Sequence, residues 1–369
     1  MNFSFNRQIR VVFRLARFLP VLLLIPILFA PATRLSPQVA QAQSSYIDCS
    51  ITSVGFTPLM DMTASQNYHG EEGGLYGDGQ NQAPETHLRM AYEASLEVVP
   101  RGSKGIPTPD GKIGVISIGM SNARAEFGAF VGQSNKDSSK KSDSVVLING
   151  AQPGKVAWRW AYPDPADDPW QVLADTVSLE GLTKQQVQVV WLLEANDGPN
   201  PTTDAFPVYA EKLRDDMAVI VKRVKTDYPN VKLVYLSSRI YAGYSLIHLS
   251  PEPFAYEGAF SNRWLIQDQM SGGGATGVTY KNAPVLMWGP YLWADGLKPR
   301  SDGLIWLCDD LKGDGVHPSD SGQAKVAGLL TDFFTTDPYA SYWFTGAAET
   351  PTPPELLGKR FVPLLMSNR

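Results

Sequence analysis

The chain has 369 residues, of which 43% are hydrophobic and 19% charged, with a formal net charge of −5. That composition belongs to a globular protein with a substantial core, and the acidic balance excludes the basic footprint of a nucleic-acid binder or of a protein held on an anionic membrane surface. At roughly 100–200 residues per domain, the length admits one large domain or two modest ones.

Residues 1–42 read as a secretory signal peptide. Arg7, Arg10, Arg14 and Arg17 supply the basic region, and Phe18 to Ala30 is an apolar run broken by Pro20 and Pro26. The run is shorter than the ~20 residues a membrane-spanning helix needs, and Ala40-Gln41-Ala42 matches the small-x-small cleavage pattern. Export to a secreted, periplasmic or cell-surface location is therefore expected, with no membrane span left after cleavage. The remainder contains two cysteines, Cys49 and Cys308. In an oxidising compartment they either bridge the N-terminal segment to the late part of the chain or stand as two unrelated buried thiols.

Residues 43–110 are rich in Gly, Pro, Asn and Gln and read as an irregular extension packed on the main domain, with one short helix over 87–96. Its His69 and His87 lack the close carboxylate–histidine spacing of a metal site.

A repeating order begins at residue 111 and runs to 338. Short apolar runs at 113–118, 145–148, 187–193, 231–236 and 285–288 read as strands covered on both faces. The spacing predicts helices from Asn122 onward, over 207–228 and over 319–334. In the second of these, Leu213, Met217, Ile220, Val221 and Val224 share one face. Strands alternating with helices imply an α/β protein with a mainly parallel five-stranded sheet, whose functional groups gather at the carboxyl ends of the strands. Residues 249–279, with the run Ser271-Gly-Gly-Gly, read as a mobile insertion near that rim. Residues 339–369 read as a Pro/Thr linker and a short apolar tail.

Four segments bring chemistry to the rim. Ser121 follows Gly119-Met120 at a strand-to-helix turn. Gly154 closes Asn149-Gly-Ala-Gln-Pro-Gly, Asn196 follows Trp191-Leu-Leu-Glu194-Ala, and Asp314-Gly-Val-His317-Pro precedes the last helix. Separately, each of these is an ordinary turn or helix cap. Together, in this chain order, they supply what acyl transfer needs. Ser121 is the nucleophile, His317 the base and Asp314 the group that orients the imidazole. Ser121 N–H, Gly154 N–H and the Asn196 amide are the oxyanion donors.

The set resembles the SGNH hydrolases, or GDSL-type esterases and lipases, over roughly residues 111–338. The last block, Asp-Gly-Val-His-Pro, is the nearest match. The resemblance implies a flavodoxin-like three-layer α/β/α sandwich, ester hydrolysis through an acyl-serine intermediate and no metal or other cofactor. Two blocks depart from the family pattern: Gly119-Met120-Ser121 stands for Gly-Asp-Ser, and Glu194-Ala195-Asn196-Asp197 for Gly-x-Asn-Asp. Gly-x-Ser-Asn is similar to the variant in some carbohydrate-acetyl esterases, which implies a small-molecule or polysaccharide ester, such as an acetyl ester, as substrate. Glu194 either pairs with Arg124 or Lys155 or contacts substrate, and Trp288, Tyr291, Trp293 and Trp306 either stack on sugar rings or pack the core. The alternative function is a non-catalytic glycan-binding or cell-surface protein that keeps this fold, motivated by the altered blocks and the Trp-rich late region.

Overall fold

A five-stranded sheet runs through the computed structural model, which describes residues 46–137 and 140–347 together with 351, 353 and 354. The expected signal peptide and the apolar tail lie outside the described residues. The strands are β1 (Ile113–Gly119), β2 (Val145–Ile148), β3 (Val187–Leu193), β4 (Leu233–Ser237) and β5 (Val285–Trp288), in spatial order β2-β1-β3-β4-β5 with every pairing parallel. Every residue of β1, β3, β4 and β5 is buried, which is why these runs are apolar throughout instead of alternating.

The helices are α1 (Glu85–Leu96), α2 (Ser121–Lys136), α3 (Ala157–Ala161), α4 (Pro169–Leu179), α5 (Val208–Asp227), α6 (Phe254–Met270), α7 (Asp320–Thr336) and α8 (Ser341–Thr345). One group joins α2, α7 and α8, and another joins α3, α5 and α6. The result is the three-layer α/β/α, flavodoxin-like arrangement. Its strand order changes direction between β1 and β3, where such folds hold their ligands. Ser319 caps α7 by accepting from the Gly322 N–H, and Phe334 on the inner face of that helix stacks on Phe130 and Phe344.

Three readings change. Residues 249–279 do not form a mobile loop, because most of this stretch is α6, a 17-residue helix packed on α5. Phe254, Ala255, Tyr256, Ala259, Phe260, Leu265 and Ile266 are all buried around it, so no single apolar stripe marks it in the sequence. The packed domain also continues past residue 338, since Tyr339, Trp343 and Phe344 enter the core. The fourth strand starts at Leu233, after Tyr228 and Val231 close the α5 turn through a backbone bond of 2.9 Å.

The extension before residue 111 shares the same core. Leu59, Met62, Leu75, Leu88 and Ala91 belong to the main apolar cluster, and α1 packs on β4 and β5. His87 is fixed between the Tyr280 hydroxyl at 2.7 Å and the Leu286 carbonyl at 2.8 Å. Burial pushes its imidazole down to about 4, despite the bond to Leu286, which suits a neutral structural histidine. Among the described residues no helix is long and apolar enough to cross a membrane.

Cys49 and Cys308 are joined in a disulfide across a separation of 259 residues. The segment beside Cys49 runs along residues 244–246, with Asp48 N–H donating to the Tyr244 carbonyl at 2.7 Å and Leu246 N–H to the Tyr46 carbonyl at 2.9 Å. Closing so long a loop restricts the unfolded chain more than the folded one. Replacing both cysteines by serine is therefore expected to cost ~2–5 kcal/mol. Calorimetry reads this as a lower thermal midpoint, and an unchanged midpoint in the double variant would refute it.

Candidate active site

The turn that carries Ser121 exists because a glycine ends β1. Gly119 adopts φ +156°, and a Cβ there would lie 2.2 Å from the Leu193 carbonyl oxygen, so no side chain fits between β1 and β3 at this point. Met120 then takes an extended conformation as the N-cap, and Ser121 is the first residue of α2. A first-turn N–H has no partner within its own helix, so the Ser121 N–H is free to serve a group in the cleft.

His317 arrives from the far end of the chain. Ser121 Oγ lies 2.7 Å from His317 Nε2, and His317 Nδ1 lies 2.7 Å from Asp314 Oδ2. In a neutral imidazole, donation of Nδ1–H to the carboxylate leaves Nε2 free to accept from the serine hydroxyl. Asp314 Oδ1 also accepts from the backbone N–H groups of Val316 and His317, each at 2.9 Å. Burial pushes the Asp314 carboxyl up, but the His317 and Val316 N–H groups and the imidazole together outweigh it, and the carboxyl sits below its usual value.

Side chains from three directions hold this loop. Asn122 Nδ2 donates to the Val316 carbonyl at 2.9 Å, and Ser245 Oγ donates to the Asp314 carbonyl at 2.9 Å. Arg239, 4% exposed, donates to the carbonyls of Leu249, Ser250 and Val316. Arg239 therefore spans the pocket, joining the wall made by residues 249–250 to the wall that carries His317.

A cavity of about 270 Å³ opens over Ser121 and His317. Gly154 and Asn196 line it with them, and Met120, Val156, Ala195, Leu249 and Val316 give it apolar walls. Met120, the residue before Ser121, is thus wall material. Gly154 takes φ +73°, a left-handed turn that favours glycine, with open space where a Cβ would stand. The Asn196 amide has an assignable orientation, because Oδ1 accepts from Trp158 N–H at 3.1 Å and Nδ2 donates to Asp216 at 2.8 Å. A second cavity of about 390 Å³ shares Asn196 and Asp197 with the first and includes Trp158, Tyr209 and Asp216. Among the described residues, no three His, Cys, Asp or Glu side chains converge as a metal site would require.

Three expected substrate contacts do not reach the pocket. Trp288 is 5% exposed and donates its indole N–H to the Leu75 carbonyl, while Trp293 is fully buried and donates to Glu252. Both are core residues, because the extension and α6 cover the end of the sheet they stand on. Glu194 is buried and does not line the cavity. Neither cation proposed for it is spent on it, since Lys155 pairs with Asp167 and Arg124 donates to the Ala151 carbonyl. Burial drives its carboxyl well above the ordinary range. Tyr291 and Trp306 are likewise buried. With these aromatics inside the core, the glycan-binding alternative loses the surface that motivated it. Reading the sequence missed Arg239, Trp158 and Asp216, which stand at no motif.

No family model and no curated protein matches the sequence. In three dimensions the chain is similar to a protein assigned as a GDSL-like lipase from Parabacteroides merdae, at 15% identity and a TM-score of 0.38 over 60% of this chain and 94% of that one. It is similar to a gut microbial diltiazem-metabolizing enzyme, at 12% identity and a TM-score of 0.35 over 61% of this chain and 47% of that one. It is also similar to a carbohydrate esterase family 2 enzyme with its carbohydrate-binding domain from Corynascus thermopiles (Myceliophthora fergusii), at 15% identity and a TM-score of 0.31 over 63% and 67%. Likeness at this level says nothing about chemistry.

Beneath the site, Glu126 on α2 is fully buried with neither carboxyl oxygen hydrogen-bonded. Burial pushes its carboxyl up to about 8 from 4.5, against a smaller downward pull from Arg239. The native state thus keeps a proton that the unfolded chain releases near pH 4.5, so the fold gains from this site below that value. The gain is lost as pH rises towards 8. Glu126→Gln should therefore stabilise the protein progressively more between pH 5 and pH 8. Thermal midpoints of both proteins across that range test this, and a constant difference would contradict it.

Proposed function

We propose that this protein is an exported serine esterase that removes an acyl group, such as acetyl, from a carbohydrate or other polar ester. The observation that carries the reading is the chain of two 2.7 Å contacts from Ser121 through His317 to Asp314, opening on a cavity shared with Gly154 and Asn196.

In the proposed reaction His317 Nε2 takes the hydroxyl proton as Ser121 Oγ attacks the ester carbonyl. The developing oxyanion accepts from Ser121 N–H, Gly154 N–H and the Asn196 amide. Asp314 stabilises the imidazolium without taking its proton. The imidazolium then protonates the departing alkoxide, so the C–O bond breaks to give the alcohol and an acyl-serine. Water, deprotonated by the same imidazole, releases the acid and regenerates the hydroxyl. No step in this scheme calls on a cofactor.

The carbohydrate part of the proposal rests on the adjoining cavity. Trp158 there is 41% exposed, braced by the Arg159 guanidinium 4.4 Å from its ring centre, and its indole N–H donates to Asp197. An exposed indole beside carboxylates suits a sugar, whose C–H face meets the ring while its hydroxyls donate to the acids. Export rests on the basic and apolar character of residues 1–42, and the disulfide is of the kind kept in oxidising compartments.

A fluorophosphonate should label Ser121 alone, read by peptide mapping, and Ser121→Ala should abolish both labelling and ester turnover. Labelling elsewhere, or none, would overturn the assignment. Trp158→Ala should raise KM for acetylated sugars while leaving small aryl acetates unaffected. An equal change on both substrates would remove the sugar from that cavity.

A further inference from the structure

All four polar atoms of Asn196 are engaged. Its backbone N–H donates to the Tyr209 hydroxyl at 3.1 Å, and that hydroxyl donates to the Asn196 carbonyl at 2.9 Å. Since the hydroxyl has one proton, Ser250 Oγ, 2.9 Å away, is left as the donor in its contact with Tyr209. The side chain is gripped from both ends, by Trp158 N–H on Oδ1 and by Asp216 on Nδ2. A carboxamide nitrogen has two N–H bonds, so one remains after Asp216 has taken its share.

Asp216 stands out on α5. It is 9% exposed, while its sequence neighbours Leu213, Met217 and Ile220 belong to the buried apolar face. A carboxylate in such a position normally takes a cation. The two cations nearest in sequence are spent elsewhere, Lys212 on Asp204 and Arg214 on Asp215. The Asn196 amide is what this carboxylate holds. Were the amide turned over, its carbonyl oxygen would face the carboxylate and its NH2 would face the Trp158 N–H, two repulsions in place of two bonds.

We propose that Asp216 is a positioning residue for catalysis, holding the Asn196 amide so that its second N–H is presented to the oxyanion in the Ser121 pocket. The proposal rests on the serine esterase reading above and adds to it a residue from outside the four rim segments. A negative charge near the oxyanion opposes its formation, so what Asp216 contributes is orientation, not electrostatic attraction. A neutral acceptor of the same shape should therefore serve as well. Burial holds the Asp216 carboxyl above its ordinary value, against the lowering effect of the Asn196 bond, and the neighbouring Asp215 adds to the rise.

Turnover of 4-nitrophenyl acetate by the full chain tests this. Asp216→Ala should lower kcat by ~10-fold or more with KM nearly unchanged, whereas Asn196→Ala should lower it by ~10²–10³. Asp216→Asn, which keeps a carbonyl acceptor, should restore kcat to within ~3-fold of the parent, a recovery no charge-based role would give. In the Asn196→Ala background, Asp216→Ala should cost nothing further. If Asp216→Ala does not fold, Asp216→Leu fills the same space without an acceptor and takes its place in each comparison. Independent, multiplying losses in the double variant, or a parent-like kcat in Asp216→Ala, would overturn the proposal. Failure of the parent protein to react with fluorophosphonate at Ser121 would instead fall on the esterase reading.

Discussion

The site is organised by the close approach of two strands. At the end of β1, Gly119 lies so near the Leu193 carbonyl of β3 that a methyl group cannot be inserted. The Gly119 carbonyl in turn accepts from Gln152 N–H at 2.9 Å, and the Ala195 carbonyl accepts from Ala157 N–H at 3.1 Å. Backbone contacts alone therefore draw together the turn bearing Ser121, the loop bearing Gly154 and the loop bearing Asn196. Groups placed by paired strands keep their spacing better than groups placed by flexible side chains, a property that preorganised donors such as those of the proposed reaction require.

His317 is placed by a different device. Its loop belongs to no strand and reaches the rim from more than 190 residues further along the chain, measured from Ser121. Neutral and cationic side chains fix it: Asn122 and Arg239 on the Val316 carbonyl, Ser245 on the Asp314 carbonyl. The cost is burial of a guanidinium, met by the carbonyls of Leu249 and Ser250 as well. The segment around residues 244–246 that carries Ser245 is itself backed by the strap near Cys49, so the N-terminal extension contributes to the site without touching it.

Much of this was legible in the sequence. Uninterrupted apolar runs marked the five strands because helices cover both faces of the sheet, and residues just past those runs fell on one rim because all the strands are parallel. Ser121, Gly154 and Asn196 line one cavity for that reason, and His317, with Asp314 behind it, joins them from a loop that follows no strand directly. What escaped depended on burial, which composition does not encode. Trp288 and Trp293 fitted a sugar platform or the core equally well in the sequence, and the extension and α6 make them core; α6 itself was hidden because it is buried on more than one side. Asp216 was hidden among charged helix residues, its partner Asn196 lying 20 positions away.

The Ser121 turn and the His317 loop are joined twice, once by the Ser121–His317 contact and once by Asn122 to the Val316 carbonyl, each a single residue along from the first. Only the first of these is consumed chemically. In the acyl-serine state of the proposed reaction the serine oxygen has lost its hydrogen and gives the imidazole nothing to bind. The neighbouring amide bond is untouched by that change, so it acts as a tether that outlasts the covalent event. The imidazole then remains in register while a water molecule enters, and the second half of the cycle starts from the same geometry as the first.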